Sequence, residues 1–157
     1  MPNQKNIFLF LFLFFPAISF SQEPVLLDSL KKVLPTLEGE SKVQTLLKIC
    51  NEIKFQDADA ARNYCQDALQ LSQKLKLEKW KGVALQRIGV TYEGQGKYDK
   101  ALDYGEKALT IFQKLNDSLE IANSHNNIGI VFDQKGQNEK ALLQLFDALK
   151  YYEALED

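Results

Sequence analysis

Two stretches of the chain, forty residues apart, decide the fold. Residues 88–102 read IGVTYEGQGKYDKAL, and residues 128–142 read IGIVFDQKGQNEKAL. Both open with Ile-Gly, carry one Gly at the same inner place and close with Lys-Ala-Leu, and an aromatic residue also keeps its place. Self-similarity at a fixed period of this size predicts stacked structural repeats.

The match extends outward from these stretches, and a third copy lies upstream. Its turn, residues 55–59, is one residue shorter and has no Gly. The positions that correspond hold the same residue in all three copies: Ile49, Ile88 and Ile128; Ala61, Ala101 and Ala141; Ala68, Ala108 and Ala148. Three copies in register over most of the chain indicate an array of repeats.

Each copy is predicted to form two antiparallel helices. In the second copy, apolar residues at helical spacing predict a helix from Trp80 to Glu93. The segment 94–96, Gly-Gln-Gly, ends this helix, and the next helix is expected over Lys100 to Leu115. No proline occurs in residues 36–157, which favours helices, since a proline inside a helix costs about 3 kcal/mol.

Capping residues predict where helices begin. Asp99 is expected to cap the second helix of the second copy. Asp117, with Glu120 three residues later, has the spacing of a capping box, and Ser41 with Gln44 does the same in the first copy.

Small residues at fixed places predict where helices cross. Gly89 recurs as Gly129, and the alanines already named recur with it. Helix axes approach to about 8 Å only where no bulky side chain stands between them. One pair cannot bury its apolar face alone, so the pairs stack. The expected fold is all-α, a right-handed solenoid of antiparallel helix pairs with three repeats and a short N-terminal helix.

The first residues differ in composition and predict a targeting segment. Lys5 precedes the apolar run 7–15, and Ser19 and Ser21 stand before Gln22. The run is shorter than the about 20 residues of a membrane-spanning helix, and the pattern is typical of a secretory signal peptide. A buried N-terminal helix and an uncleaved anchor are the alternatives.

These observations predict a division of the chain and its compartment. We expect a signal peptide over residues 1–21, an N-terminal helix and linker over 22–39 and a repeat array over 40–157, with repeats at about 42–80, 81–120 and 121–157. The protein is then exported, to the periplasm or the outer face of a bacterial membrane, and the mature chain makes no membrane contact of its own.

Composition and motifs argue against several functions. The 19 Lys and Arg against 21 Asp and Glu give a net charge of −2, which does not support nucleic-acid binding. His125 is the only histidine, so a metal site lacks nitrogen and sulfur ligands. No Gly-x-Ser-x-Gly elbow occurs. We therefore expect no enzymatic activity, metal or cofactor.

Cys50 and Cys65 are the only cysteines of the chain. They stand seven and eight residues on either side of a turn centred near Asp57, so antiparallel helices would bring them close together. Export to an oxidising compartment would permit a disulfide. The alternative is a pair of small buried thiols.

The repeat resembles the tetratricopeptide repeat family. The motif appears as Leu85-x2-Ile88-Gly89-x2-Tyr92, followed by Gly96, Ala101 and Ala108, and again as His125-x2-Ile128-Gly129-x2-Phe132. The chain departs from the family where Leu85 and His125 replace its Trp and where Gly105 replaces a large residue. The forty-residue period is similar to the long variant found in the exported region of bacterial repeat-containing sensor kinases and regulators.

The resemblance implies a protein or peptide partner on the concave side, which the first helix of each repeat lines. The positions that it implies for this contact are Gln44, Leu47, Asn51, Val83, Gln86, Val90, Glu93, Asn123, Asn126, Ile130 and Asp133. They are rich in amides and mildly apolar. The alternative is a solvated groove, with any binding elsewhere.

The last predicted helix, residues 139–156, carries more apolar residues than one partner helix can cover. A terminal helix of a repeat array is normally polar on its outer side. Either further repeats follow or the helix pairs with a second copy. Three functions therefore stay open: a non-catalytic protein-interaction scaffold, the extracytoplasmic sensory region of a longer signal-transduction protein, and a homodimerising assembly factor.

Overall fold

The computed structural model describes residues 23–156, with side chains from residue 26 onward. The predicted signal peptide, residues 1–21, lies outside the described residues. A short 3-10 helix, Leu34–Thr36, follows the first α-helix. The α-helices in chain order are α1 (Glu23–Val33), α2 (Gly39–Ile53), α3 (Ala58–Lys74), α4 (Glu78–Glu93), α5 (Tyr98–Leu115), α6 (Ser118–Gln134) and α7 (Asn138–Glu156).

Consecutive helices pack as antiparallel pairs, α2 with α3, α4 with α5 and α6 with α7, and each pair packs on the next. Helix α1 lies against α2, where Leu27 and Leu30 are partly buried. The prediction of an all-α solenoid with three repeats after a short N-terminal helix is confirmed. We call α2, α4 and α6 the first helices and α3, α5 and α7 the second helices.

The predicted caps are confirmed only in part. The Asp117 side chain accepts a hydrogen bond from the Glu120 backbone N–H at 3.3 Å, as predicted. The prediction for Asp99 is wrong, because α5 begins one residue earlier and Asp99 lies in its first turn. Ser41 is also not a cap, because α2 begins at Gly39 and already includes it.

The curvature of the array follows from which helices touch. Helix α4 contacts the first helices on both sides, α2 and α6. Within residues 23–156, no second helix approaches another. Elements on the inside of a curve lie closer together than those on the outside. The first helices therefore line the concave side, and we call their solvent-facing surface the inner face.

Small residues set the helix crossings, as the repeat pattern predicts. A Cβ atom on Gly89 would lie 3.2 Å from the Ala101 carbonyl oxygen, so α4 meets the backbone of α5 directly. A Cβ on Gly82 would lie 2.7 Å from the ring of Phe112, which is fully buried. These close contacts hold α4 against α5.

Polar contacts between repeats also recur with the period. The Gln95 side-chain N–H donates to the Asp59 carboxylate at 3.0 Å. Forty residues on, Lys135 pairs with Asp99. Each contact joins the first turn of a second helix to the turn of the following repeat, so the stacking register is set by polar groups as well as by the core.

Candidate protein-binding groove

The residues that the resemblance implies for a partner contact all lie on the first helices, but at different depths. Leu47, Val83 and Gln86 are buried, so they pack between helices and offer no surface to a partner. The partly exposed members are Gln44, Asn51, Val90, Glu93, Asn123 and Asn126. Ile130 and Asp133 are exposed.

Several of the polar members already have partners within the chain. The Asn51 amide oxygen accepts hydrogen bonds from Arg87 Nη1 at 2.7 Å and from Lys54 Nζ at 2.8 Å. Asn123 Oδ1 accepts one from the hydroxyl of Tyr152 at 2.7 Å. Asn51 and Asn123 are therefore engaged within the chain, whereas Val90, Asn126 and Ile130 of α4 and α6 are at least partly exposed.

The buried Gln86 joins two first helices. Its side-chain N–H donates to Ser124 Oγ at 3.3 Å, and both residues are buried. An amide in this position must be satisfied because an unpaired buried polar group costs about 1–3 kcal/mol. Gln86 therefore stabilises the contact between α4 and α6.

Charged side chains of the inner face lie at the ends of the first helices. At the end of α2, burial lowers the pKa of Lys54, and the nearby Arg87 guanidinium lowers it further. Glu93 lies in the last turn of α4 and Asp133 in the last turn of α6. The Glu93 carboxylate accepts a hydrogen bond from Gln134 Nε2 at 2.5 Å and also interacts with Lys54. The helix dipole is negative at the ends of α4 and α6 as well.

A small cavity opens between α4, α5 and α6. Its volume is about 80 Å³, and its lining is mainly apolar. The lining residues include the small Gly89, Ala101 and Gly105 at the bottom, and Ile128 and Val131 on the side. Further lining residues come from the inner face: Val90, Glu93, Asn127 and Ile130. The cavity therefore opens toward the inner face.

The two cysteines are bonded to each other in the structure. Cys50 on α2 and Cys65 on α3 form a disulfide with their Cα atoms 5.7 Å apart. Both residues are buried. The bond ties the two helices of the first repeat together at the place where Gly89 and Gly105 face each other in the second.

Arg62 is a structural residue that the sequence reasoning missed. Its guanidinium donates to Thr91 Oγ1 at 3.1 Å, to Gln95 Oε1 at 2.7 Å and to Asp59 Oδ1 at 2.7 Å. It also lies 4.2 Å from the ring centroid of Tyr92, a cation–π contact. The hydrogen bonds from Gln95 and Arg62 hold the pKa of Asp59 below its usual value.

His125 occupies a packed position on α6. Its Nδ1 lies 2.8 Å from Gln144 Oε1, and its ring stacks on Tyr151 with centroids 6.1 Å apart. Over the described range 23–156, no group of three potential metal ligands occurs. In the same range, no helix has the length and hydropathy of a membrane span.

Helix α7 exposes a broad apolar surface. Leu142, Leu145 and Leu149 of α7 correspond to Leu102, Gly105 and Leu109 of α5, and Gly105 packs on Ile128 of α6. Leu143 and Phe146 are also exposed, at 64% and 59%, although the equivalent residues of α5 are Asp103 and Glu106. The large exposed side chains of α7 are Leu142, Leu143, Leu145, Phe146, Leu149 and Leu155.

The geometry defines a helical-repeat scaffold whose first helices line a groove. The sequence profile of the tetratricopeptide repeat matches residues 51–114 and 83–154. The chain therefore belongs to the tetratricopeptide repeat family, and its fold is that of a protein-interaction scaffold. No curated protein matches the chain in sequence.

Solved structures with the same fold include a Rap protein in complex with competence and sporulation factor. The match has a TM-score of 0.79 at 19% identity and covers 87% of this chain and 39% of the Rap chain. The chain thus spans about two fifths of that protein's length. A structure of MamA also matches, with a TM-score of 0.46 and 20% identity over 85% of this chain and 91% of the other.

Proposed function

We propose that the chain is a non-catalytic scaffold that binds an extended segment of a protein partner along its inner face. The observation that carries this proposal is the exposed part of that face on α4 and α6. Val90, Asn126 and Ile130 are accessible there, while the helices beneath them are fixed by packing. Such a surface offers apolar contact and amide hydrogen bonds, which suit a peptide main chain.

The carboxylates at the ends of α4 and α6 indicate which charge the partner carries. Glu93 and Asp133 stand at helix ends where the dipole is also negative. A basic side chain on the partner would be attracted to these carboxylates, whereas an acidic one would be repelled by them. We therefore expect the bound segment to place Lys or Arg near the ends of α4 and α6.

The experiment compares partner capture by the wild-type chain and two variants. Asn126→Arg combined with Ile130→Arg changes the inner face, and Asn63→Arg changes an exposed position on α3 as the matched control. Affinity purification from the native host with quantitative mass spectrometry should show a partner that the inner-face variant loses and the control keeps. A partner retained equally by both variants would place the binding elsewhere.

We also propose that the protein is exported. The signal-like pattern of residues 1–21 supports this, and so does a disulfide pair in the first repeat, since disulfides persist in oxidising compartments. Mass spectrometry of the mature protein should find Gln22 at the N-terminus. A cytoplasmic protein that retains Met1 would overturn the proposal.

Self-association through α7 is a second candidate function, favoured by Leu143 and Phe146. The equivalent positions of α5 hold the polar Asp103 and Glu106. We therefore do not expect a following repeat to cover Leu143 and Phe146. A second copy would bury them. Light scattering at high concentration should then show a dimer that Phe146→Asp dissociates, and a monomer at every concentration would exclude it.

The sensory role in a longer signal-transduction protein remains a further proposal. It is supported by the exposure of Leu142, Leu145 and Leu149, which a further repeat would cover. Genomic sequence after Asp157 tests it: a stop codon there would exclude it for this chain.

A further inference from the structure

The cavity between α4, α5 and α6 exists because the second repeat lacks side chains that the other repeats have. Gly89 and Gly105 face each other across the crossing of α4 and α5, and Ala101 lies beside them. None of the three extends beyond a Cβ atom. Ile128 of α6 packs on Gly105, where a Cβ would lie 3.1 Å from its Cγ1, and a space of about 80 Å³ stays open beside Gly89 and Ala101.

The equivalent space in the first repeat is filled by the chain itself. There the positions of Gly89 and Gly105 hold Cys50 and Cys65, and the disulfide occupies the crossing. Both cysteines are buried.

The third repeat fills its equivalent space with a leucine. Leu145 stands at the position of Gly105, and its Cγ would lie 3.0 Å from a Cβ on Gly129. The Leu145 side chain thus lies over the glycine of the crossing. The chain itself shows which group fits above a Gly-Ala crossing of this kind: a branched aliphatic side chain.

We propose that the cavity is a binding pocket for one branched aliphatic side chain, Leu, Ile or Val, of the segment bound along the inner face. This inference rests on the proposed function. The volume is about half of the ~150 Å³ of an apolar cavity known to bind benzene, so it suits a side chain of three or four carbons.

The chemistry of the lining supports an aliphatic occupant and excludes a charged one. Ile128 and Val131 provide apolar walls, and Gln86, the buried polar residue of the lining, has its amide engaged by Ser124. A charged side chain at the base of the cavity would lose its hydration without gaining a partner, because the carboxylate of the lining, Glu93, lies at the mouth.

The mouth of the pocket is more polar than its base. Glu93 and Asn127 line it beside Val90 and Ile130, and all four are at least partly exposed. A carboxylate and an amide at this place can bond the main chain on either side of an inserted residue. The pocket therefore fixes the register of the bound segment, with the basic residue expected near Glu93.

The test uses a displayed library of random linear dodecapeptides as the probe against the full chain. We expect the selected peptides to share one Leu, Ile or Val at a fixed position. Replacing that Leu by Ala in a selected peptide should weaken binding about 50-fold, because three carbons leave the pocket.

A cavity-filling variant provides the matching change on the protein. Val131→Ile adds one methyl group to a wall of the cavity and should weaken binding of the selected peptides about 10-fold or more. Val83→Ile is the control, because Val83 is a buried valine of a first helix that does not line the cavity. If Val131→Ile does not fold by circular dichroism, Val90→Leu on the opposite wall replaces it.

The outcomes separate the pocket from the groove. Loss of binding with Val131→Ile and not with Val83→Ile supports the pocket. Equal binding by both variants, or selected peptides without a shared aliphatic residue, overturns the pocket and leaves the proposed groove intact. A library that yields no peptide sensitive to the inner-face variant Asn126→Arg with Ile130→Arg overturns both.

Discussion

Reduction of the bond between Cys50 and Cys65 should destabilise the first repeat by a measurable amount. The bond joins residues 15 apart in sequence. In the chain-entropy treatment, closing a loop of that length removes about 3 kcal/mol of conformational freedom from the unfolded chain. With a urea m-value of about 1.5–2 kcal/mol/M, the unfolding midpoint should fall by about 1.5–2 M.

The burial of both cysteines determines how the assay is run. Because neither sulfur is accessible in the folded protein, reductant acts slowly on the native state. The protein must be unfolded in urea with dithiothreitol and refolded under reductant before the curve is recorded. A thiol count in denaturant without reductant comes first, and we expect no free thiols.

A double variant provides the control. Cys50→Ala with Cys65→Ala cannot form the bond, so its midpoint should not respond to dithiothreitol. It should lie below the reduced wild-type midpoint, because removing two buried sulfur atoms also costs packing. Two free thiols, or the same midpoint with and without reductant, would refute the reasoning.

The loss should also be local. In repeat arrays each repeat contacts only its neighbours, so stability is close to a sum of repeat and interface contributions. Hydrogen exchange should accelerate in α2 and α3 after reduction and change little in α6 and α7. Uniform acceleration would mean that the array unfolds as one cooperative unit.

Three further predictions concern packing, a buried polar network and pH. Ala141→Leu should overpack the crossing of α6 and α7 and lower the free energy of unfolding by about 1–3 kcal/mol, measured by urea denaturation, because Ala141 is buried. An unchanged midpoint would mean that the contact is misplaced. Arg62→Met should lower the free energy of unfolding by about 2–3 kcal/mol, because it leaves the buried Thr91 without its guanidinium partner. Asn63→Ala, at an exposed position, is the control and should change the free energy of unfolding by less than about 0.5 kcal/mol. The hydrogen bond from Lys79, helped by the Glu120 N–H, holds the pKa of Asp117 below its usual value, so its contribution is present above about pH 4 and lost as pH falls through the lowered pKa. Asp117→Asn should keep the cap and remove this pH dependence, and Asp117→Ala should cost about 1 kcal/mol; a stability curve below pH 4 unchanged by Asp117→Asn would contradict the assignment.

The period of the sequence predicts most of the fold because the same small residues must recur wherever helices cross. Helix starts are less predictable. Asp99 has the residue type of a cap, but it is the second residue of α5, which begins at Tyr98. Asp57, which caps α3 by accepting from the Ala60 N–H at 2.9 Å, lies in the shortened turn and was not recognised.

The candidate groove is only partly predictable for a related reason. The resemblance places residues by their position along each first helix, but it does not say how closely neighbouring first helices pack. On the inside of the curve α2, α4 and α6 touch, so Leu47, Val83 and Gln86 become buried. No periodic signal distinguishes these positions from the accessible Val90 and Ile130.

Arg62 was missed because the other copies have no counterpart. Its position holds Leu102 in the second repeat and Leu142 in the third. A pattern search looks for what recurs, and a cation that bonds Thr91 and Gln95 across the repeat boundary does not recur.

The repeats differ from one another at the crossing of their two helices. At one and the same crossing, the first repeat places a disulfide, the second a cavity and the third Leu145. If all three crossings held the same cavity, a selected peptide could insert its aliphatic side chain at any of them. The cavity lies at the middle one of these three crossings, so an aliphatic residue of the partner that inserts there sets the register of the bound segment.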